Sequence, residues 1–160
     1  MQRIHDSLFL GDLSSCRHGS AQMAVVHACK SPCHQRAAAY TGNLPRHHPH
    51  YLAIARPYDL YLNLIDPPLP LFQLESFHRF LAFAAEHNSA RPLLIHCNQG
   101  ESRAPSLALL LLASQQKGIP GNSYAQARAA FASIYPAYKP GVGMQQFLTG
   151  HWNQILPSAI

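Results

Sequence analysis

The sequence predicts a three-layer α/β/α fold around a central, mostly parallel sheet. Three observations predict it. Short apolar stretches of strand length occur at MAVVHAC (23–29), LYLNLI (60–65) and PLLIHC (92–97). Apolar residues at helical spacing lie between and after them. The two kinds of segment alternate along the chain, and that alternation is the signature of parallel strands joined by helices.

Taken in order, RIHDSLFLG (3–11) alternates loosely and ends in Gly-Asp, as a first strand and turn would. MAVVHAC is a short β-branched strand. KSPCHQRAAAYTGNLPRHHPH (30–50) is dense in Pro, His and turn residues, and reads as a long divergent loop with one helical turn near 35–40. LYLNLI alternates cleanly and is stopped by Asp66-Pro67-Pro68. PLFQLESFHRFLAFAAEHN (70–88) carries Leu71, Leu74, Phe77, Phe80, Leu81 and Ala84 on one helical face, with Pro70 at its start. PLLIHC suits the middle of a parallel sheet. Helices are expected at 103–117, with Pro105 tolerated in the first turn, at 123–133 capped by Ser123, and at 143–154.

At 160 residues, with no linker or internal repeat, the chain reads as one domain. Only 12% of residues are charged, against roughly 25% in ordinary soluble chains, while 48% are apolar. That balance argues against a disordered tail or a coiled coil. The longest apolar run, 107–113, is far short of the ~20 residues that span a bilayer, and no secretory signal is visible. An intracellular, cytoplasmic setting follows, so Cys16, Cys29, Cys33 and Cys97 are read as thiols and not as a disulfide framework. The net charge of +5 favours an anionic ligand. Its basic residues are scattered singly, which argues against a nucleic-acid footprint, and no membrane partner is expected. The oligomeric state is not legible.

In open α/β sheets, ligands bind beyond the carboxyl ends of the strands. That rule singles out Asp66 and Cys97. The stretch LLIHCNQGESRAPS (93–106) runs from buried strand through a short loop into a helix. Five residues separate Cys97 from Arg103. Their backbone N–H groups can converge as an anion nest, and the helix N-terminus adds positive partial charge. Arg103 can grip two oxygens of a phosphate with its planar fork, and Gly100 lets the loop close. The same field favours a thiolate at the base of such a loop, a site for nucleophilic attack on phosphorus. The bland alternative is a buried Cys and a surface Arg at chance spacing. For Asp66 it is a strand-ending turn residue.

HCNQGESR resembles the signature loop of the cysteine-dependent protein tyrosine phosphatases, and Glu101-Ser102-Arg103 is similar to that of the dual-specificity members. LFLGD (8–12), the strand–Asp66–helix arrangement and YKPGVGMQQFL (138–148) extend the resemblance from about residue 3 to 150; residues 14–50 match poorly. The resemblance implies a protein tyrosine phosphatase-like fold and a dual-specificity type of phosphomonoester hydrolase. By it, Cys97 attacks phosphorus and forms a phosphocysteine. Arg103 and the loop residues Asn98, Gln99, Gly100, Glu101 and Ser102 bind the phosphoryl oxygens. Asp66 protonates the leaving oxygen and then activates water. His96 packs behind the thiolate as a supporting residue. No metal and no cofactor is implied, and the partner is a phosphorylated protein or a small phosphomonoester.

Two departures bear on turnover. Position 104 is Ala where the family usually has Ser or Thr, a donor to the cysteine sulfur; regenerating-liver phosphatases are similar in this respect. Gly141 stands where dual-specificity members often carry Asn, and Phe147 where they often carry Gln. Two rival readings stay open: a catalytically weak phosphate-binding module, which Ala104 favours, and a rhodanese-like sulfur transferase, which Asp66 and Arg103 oppose. Glu101 on the loop rim disfavours polyanionic headgroups. Finally, HACKSPCH (27–34) offers His27, Cys29, Cys33 and His34, soft ligands in a composition that suits zinc. An ordinary loop beside the site is the leading reading of that segment. A cysteine that pairs with Cys97 as a redox resolver is a further one.

Overall fold

The computed structural model describes residues 1–157. Six strands form one sheet in the order β1-β2-β6-β3-β5-β4, with β1 at Gln2–His5, β2 at Leu8–Gly11, β3 at Ala24–His27, β4 at Ala53–Ala55, β5 at Asp59–Leu62 and β6 at Leu93–His96. The four inner strands β2, β6, β3 and β5 are parallel, and the two edge strands are antiparallel. The expected α/β architecture with a mostly parallel sheet is therefore present.

The strand expected over 3–11 is instead a hairpin. Asp6 and Ser7, polar turn formers, interrupt it and fold β1 back on β2. β4, too short to announce itself, pairs with β5 in the stretch before it. β5 ends at Leu62, so Asp66 lies in the following Pro-rich loop and not at the strand's end.

Helices α2 (Leu74–His87), α3 (Arg103–Ser114), α4 (Tyr124–Ile134) and α5 (Val142–Ile155) join one face of the sheet in the main core; α1 (Gln35–Ala38) is a single turn in the 30–50 segment. Helix α2 starts at Leu74 and not at 70. Each residue before a proline is pushed towards extended backbone, so the Pro67–Pro70 run stays a loop and leaves Leu71 67% exposed, off the core face assigned to it. Phe77, Phe80 and Ala84 then face inward at helical spacing. Each such aromatic buried contributes about 1.5–3 kcal/mol. Phe147, on α5, stacks on Phe77 at 5.1 Å and is core. Helix α3 is buried all round from Ala104 to Ala113, as the central helix of the layer must be. It stops at Ser114, three residues short of the expected end, where Gln116 turns to positive φ. Ser123 caps α4 by accepting from Gln126 N at 3.3 Å.

The two faces of the sheet differ in chemistry. Alternate residues Leu8, Leu10, Ala24, Val26, Leu60, Leu62, Leu93 and Ile95 face the main helical layer. The opposite face carries Tyr61, His27 and His96 side by side in register, with Asp59 beside them. That face is covered by a smaller layer, the 30–38 turn and helix, with Cys29, Cys33, Ile54 and Tyr61 as its apolar cluster. Among the described residues no helix is long and apolar enough to cross a membrane.

Candidate active site

Strand β6 is paired on both sides, with Gly11 and His27 level with its last residue His96. The chain therefore leaves the sheet from a rigid point. Cys97 is the first residue out, 1% exposed, with its amide donating to Gly11 O at 3.4 Å. The next residues curl back over it. Gly100 has φ +72 and donates its amide to Cys97 Sγ at 3.2 Å, a turn that a side chain at 100 would strain. The amides of Gln99, Glu101, Ser102 and Arg103 have no acceptor among the described residues.

Arg103 opens α3 and reaches back into this loop. Its Nη1 donates to Leu64 O at 3.0 Å and its Nη2 to Asn98 Oδ1 at 2.8 Å. Its Nε is buried with no acceptor. Asn98 in turn donates from Nδ2 to Ser31 O at 2.9 Å, tying the loop to the His-rich segment. The far side of the loop is held by the α4–α5 connection. Tyr135 donates its hydroxyl to Gly100 O at 2.9 Å, Lys139 its amide to Glu101 O at 2.8 Å, and Gly141 its amide to Ser102 Oγ at 2.9 Å. Asp66 is exposed, and its carboxylate lies against Gly141, so it stands at the same rim. Ala104 is fully buried on the first turn of α3.

Behind the loop, His96 Nε2 meets His27 Nδ1 at 2.8 Å, and His27 Nε2 meets Asp59 Oδ1 at 2.9 Å. Asp59 can only accept from the ring, so His27 carries its proton on Nε2 and the His96 ring donates to its Nδ1. Asp59 also accepts from Gly19 N at 2.8 Å. Burial lowers the pKa of both rings. For His96, burial and then the neighbouring His27 bring it down to about 4. For His27, burial outweighs the pull of Asp59. His96 Nδ1 is buried without a partner.

The structure thus brings Cys97, the loop residues 98–102, Arg103 and Asp66 to the carboxyl end of the sheet, where the sequence places them. It does not gather the four soft ligands of 27–34. His34 is turned away, bonded to Tyr40 Oη and His50 O at 2.8 Å each. Cys29 lies in the small apolar cluster with Cys33, while Cys97 packs in the main core. Asp59 is the first residue of β5, at that strand's amino end, and it serves His27. Asn98 and Ser102 lie in the signature loop, but their bracing contacts were not foreseen, and Tyr135 as a brace and Cys16 and Asp59 as neighbours of the His pair carry no motif. Only the polar His27 between apolar strand residues was a legible signal.

The fold is similar to that of dual-specificity phosphatases of known structure. A single-site variant of human DUSP28 superposes with a TM-score of 0.67 at 18% identity, covering 98% of this chain and 97% of that one. The human tyrosine phosphatase-like serine/threonine/tyrosine-interacting protein gives 0.62 at 19%, covering 94% of each chain. DUSP15 gives 0.64 at 15%, covering 95% of this chain and 86% of that one. No protein-family model and no curated protein matches the sequence.

Proposed function

We propose that the chain is a phosphomonoester hydrolase of the dual-specificity type that works through a phosphocysteine. The observation that carries this reading is the set of unpaired donors around Cys97: the amides of Gln99, Glu101, Ser102 and Arg103 and the buried Arg103 Nε, none with an acceptor among the described residues. A buried donor such as Arg103 Nε is rarely left unpaired in folded proteins, and a phosphoryl group would satisfy it together with the loop amides.

In the proposed reaction, the Cys97 sulfur attacks phosphorus and the ester P–O bond breaks. Asp66 gives its proton to the leaving oxygen. Water then attacks the phosphocysteine, Asp66 takes the water's proton, the S–P bond breaks, and the thiolate and inorganic phosphate are released. Arg103 and the amides hold the equatorial oxygens as charge builds on them. His96 buttresses the loop from behind. Glu101, half-buried on the rim, disfavours a polyphosphorylated headgroup, so a phosphoprotein or a simple phosphomonoester is the proposed substrate. A higher kcat/KM on phosphoinositides than on phosphotyrosine peptides would overturn that choice.

Ala104 favours a second reading, a phosphate-binding module with little turnover. Aryl phosphate hydrolysis by the wild type, Cys97→Ser and Asp66→Asn, without added metal, separates the two. Hydrolysis that is lost in Cys97→Ser supports the enzyme. Activity that survives Cys97→Ser rejects the mechanism, and phosphotyrosine binding by an inert wild type supports the module.

A further inference from the structure

The polar face of the sheet gathers four metal-ligating side chains, none of which touches the substrate in the proposed phosphatase chemistry and of which only His96 supports the loop. The side chains of Cys16, His27, Cys33 and His96 place their ligand atoms all within 4.8 Å of one another. Cys16 Sγ is 3.6 Å from His27 Nδ1 and 4.0 Å from Cys33 Sγ, and His27 Nδ1 is 2.8 Å from His96 Nε2. We propose that these four side chains form a closed, tetrahedral zinc site.

The distances fit that geometry. Zinc–sulfur bonds of about 2.3 Å and zinc–nitrogen bonds of about 2.0 Å give tetrahedron edges of about 3.8 Å between sulfurs, 3.5 Å between sulfur and nitrogen, and 3.3 Å between nitrogens. The Cys16–Cys33 sulfur–sulfur and Cys16–His27 sulfur–nitrogen separations are within a few tenths of those values, and the remaining pairs lie within 4.8 Å. The two imidazoles must part by about half an ångström, which breaks the hydrogen bond between them. Two thiolates and two neutral imidazoles select zinc over oxygen-seeking cations such as magnesium and calcium.

Charge and support also fit. Binding releases the two thiol protons, and the His96 proton moves from Nε2 to Nδ1. The dication and two thiolates then sum to no net charge, which suits a buried place better than any single ion. His27 is already oriented by the Nε2–Asp59 bond, the carboxylate–histidine arrangement that fixes a ligating ring and leaves its Nδ1 free to bind. Tyr61 stacks flat on the same ring, with centroids 4.1 Å apart and 6° between planes. Cys33, His27 and His96 are buried, while Cys16 is exposed and gives the ion a way in.

The ligands come from four separate pieces of chain: the connection after β2, strand β3, the turn at Lys30–His34, and the end of β6. The ion would therefore staple the covering layer to the sheet directly beneath the Cys97 loop. This site goes beyond the phosphatase reading and does not depend on it.

The test is metal analysis of the 160-residue chain purified under reductant. One zinc per chain is expected, and reloading the chelated protein with cobalt should give the intense visible bands of tetrahedral cobalt with thiolate charge transfer. Cys16→Ser, at the surface, should lose both signals, as should Cys33→Ser. Cys29→Ser and Cys97→Ser should keep them. Asp59→Asn should weaken zinc binding by about 10–100-fold. Zinc should raise the wild-type Tm and leave Cys16→Ser unmoved. No stoichiometric metal, or a tetrahedral cobalt spectrum that survives Cys16→Ser, overturns the proposal. Metal retained by Cys97→Ser while hydrolysis is lost shows the two sites to be separate, and an inert wild type with bound zinc would reject the phosphatase alone.

Discussion

Gly141 is in contact with the Asp66 carboxylate, and a Cβ at 141 would collide with it. The same glycine donates its amide to Ser102 Oγ. One residue without a side chain thus sets the proposed acid against the rim of the phosphate loop. A second glycine, Gly143, lies against the same loop at the carbonyls of Pro67 and Leu69, while the side chains of Ile65 and Leu69 are 50% and 57% exposed.

Replacing Gly141 by Asn should displace Asp66 without breaking the amide contact to Ser102. Loss of a general acid costs about 10²-fold or more. We expect that loss in kcat for alkyl and phenyl phosphates, whose leaving oxygens need a proton. Activated nitrophenyl esters should be hydrolysed almost as before. An equal loss across leaving groups would show that the substitution disturbed the loop and not the acid.

Ala104→Ser should raise kcat about tenfold, below the ceiling of 10²–10³ for a single donor to developing charge. The hydroxyl would add a second donor to Cys97 Sγ, which now accepts only from Gly100 N among the described residues. Pre-steady-state traces should show a smaller burst, because the phosphocysteine breaks down faster. An unchanged or lower kcat counts against the predicted role of this position.

Tyr135→Phe keeps the ring and removes the hydroxyl that braces Gly100 O from the side of α4. A buried acceptor left unpaired costs about 1–3 kcal/mol, read as a lower urea midpoint. kcat should fall several-fold with little change in the KM of small aryl phosphates. A variant as stable and as active as the wild type would mean that the loop holds its shape without this brace.

Stability should fall in alkali. Tyr138, buried and hydrogen-bonded to Ser106 Oγ at 2.8 Å and Tyr124 Oη at 3.1 Å, has its pKa raised well beyond the ordinary range by burial first and Tyr124 second. Tyr124 is raised by burial as well. Both folded values lie above the unfolded value of about 10, so their contribution is complete below pH 10 and is lost above it. Chemical unfolding between pH 8 and 11 should show a falling midpoint, shallower in Tyr138→Phe. A flat profile would contradict the placement of these hydroxyls.

The parallel core was legible because its signals are local. Ile95 and Leu93 sit in an apolar run of strand length, and Phe77, Phe80 and Ala84 repeat at the helical period. The loop from Cys97 to Arg103 was legible for the same reason, since nucleophile, glycine and arginine lie within one short stretch. The β1–β2 hairpin was misread because its strands are only four residues each, and Asp6-Ser7 is a weak turn signal without glycine or proline. Of the polar sheet face only His27, polar between apolar strand residues, was legible. His27 and His96 are 69 residues apart and meet only through the pairing of β3 with β6. Cys16 joins them from a connection whose path no periodicity describes.

Strand order has a consequence for how the chain is made. β6 lies between β2 and β3, yet it is the last of the six strands in sequence. Until residue 96 has emerged from the ribosome, β2 and β3 face an empty slot, each with an unpaired edge. The first half of the chain therefore cannot close its sheet during synthesis, and the long-range pairing that completes it is of the slow kind. Because Cys97 directly follows that inserted strand, the nucleophile is set in place by the same event that removes the open edges. A nascent chain that carries a formed Cys97 loop is one whose sheet is already sealed.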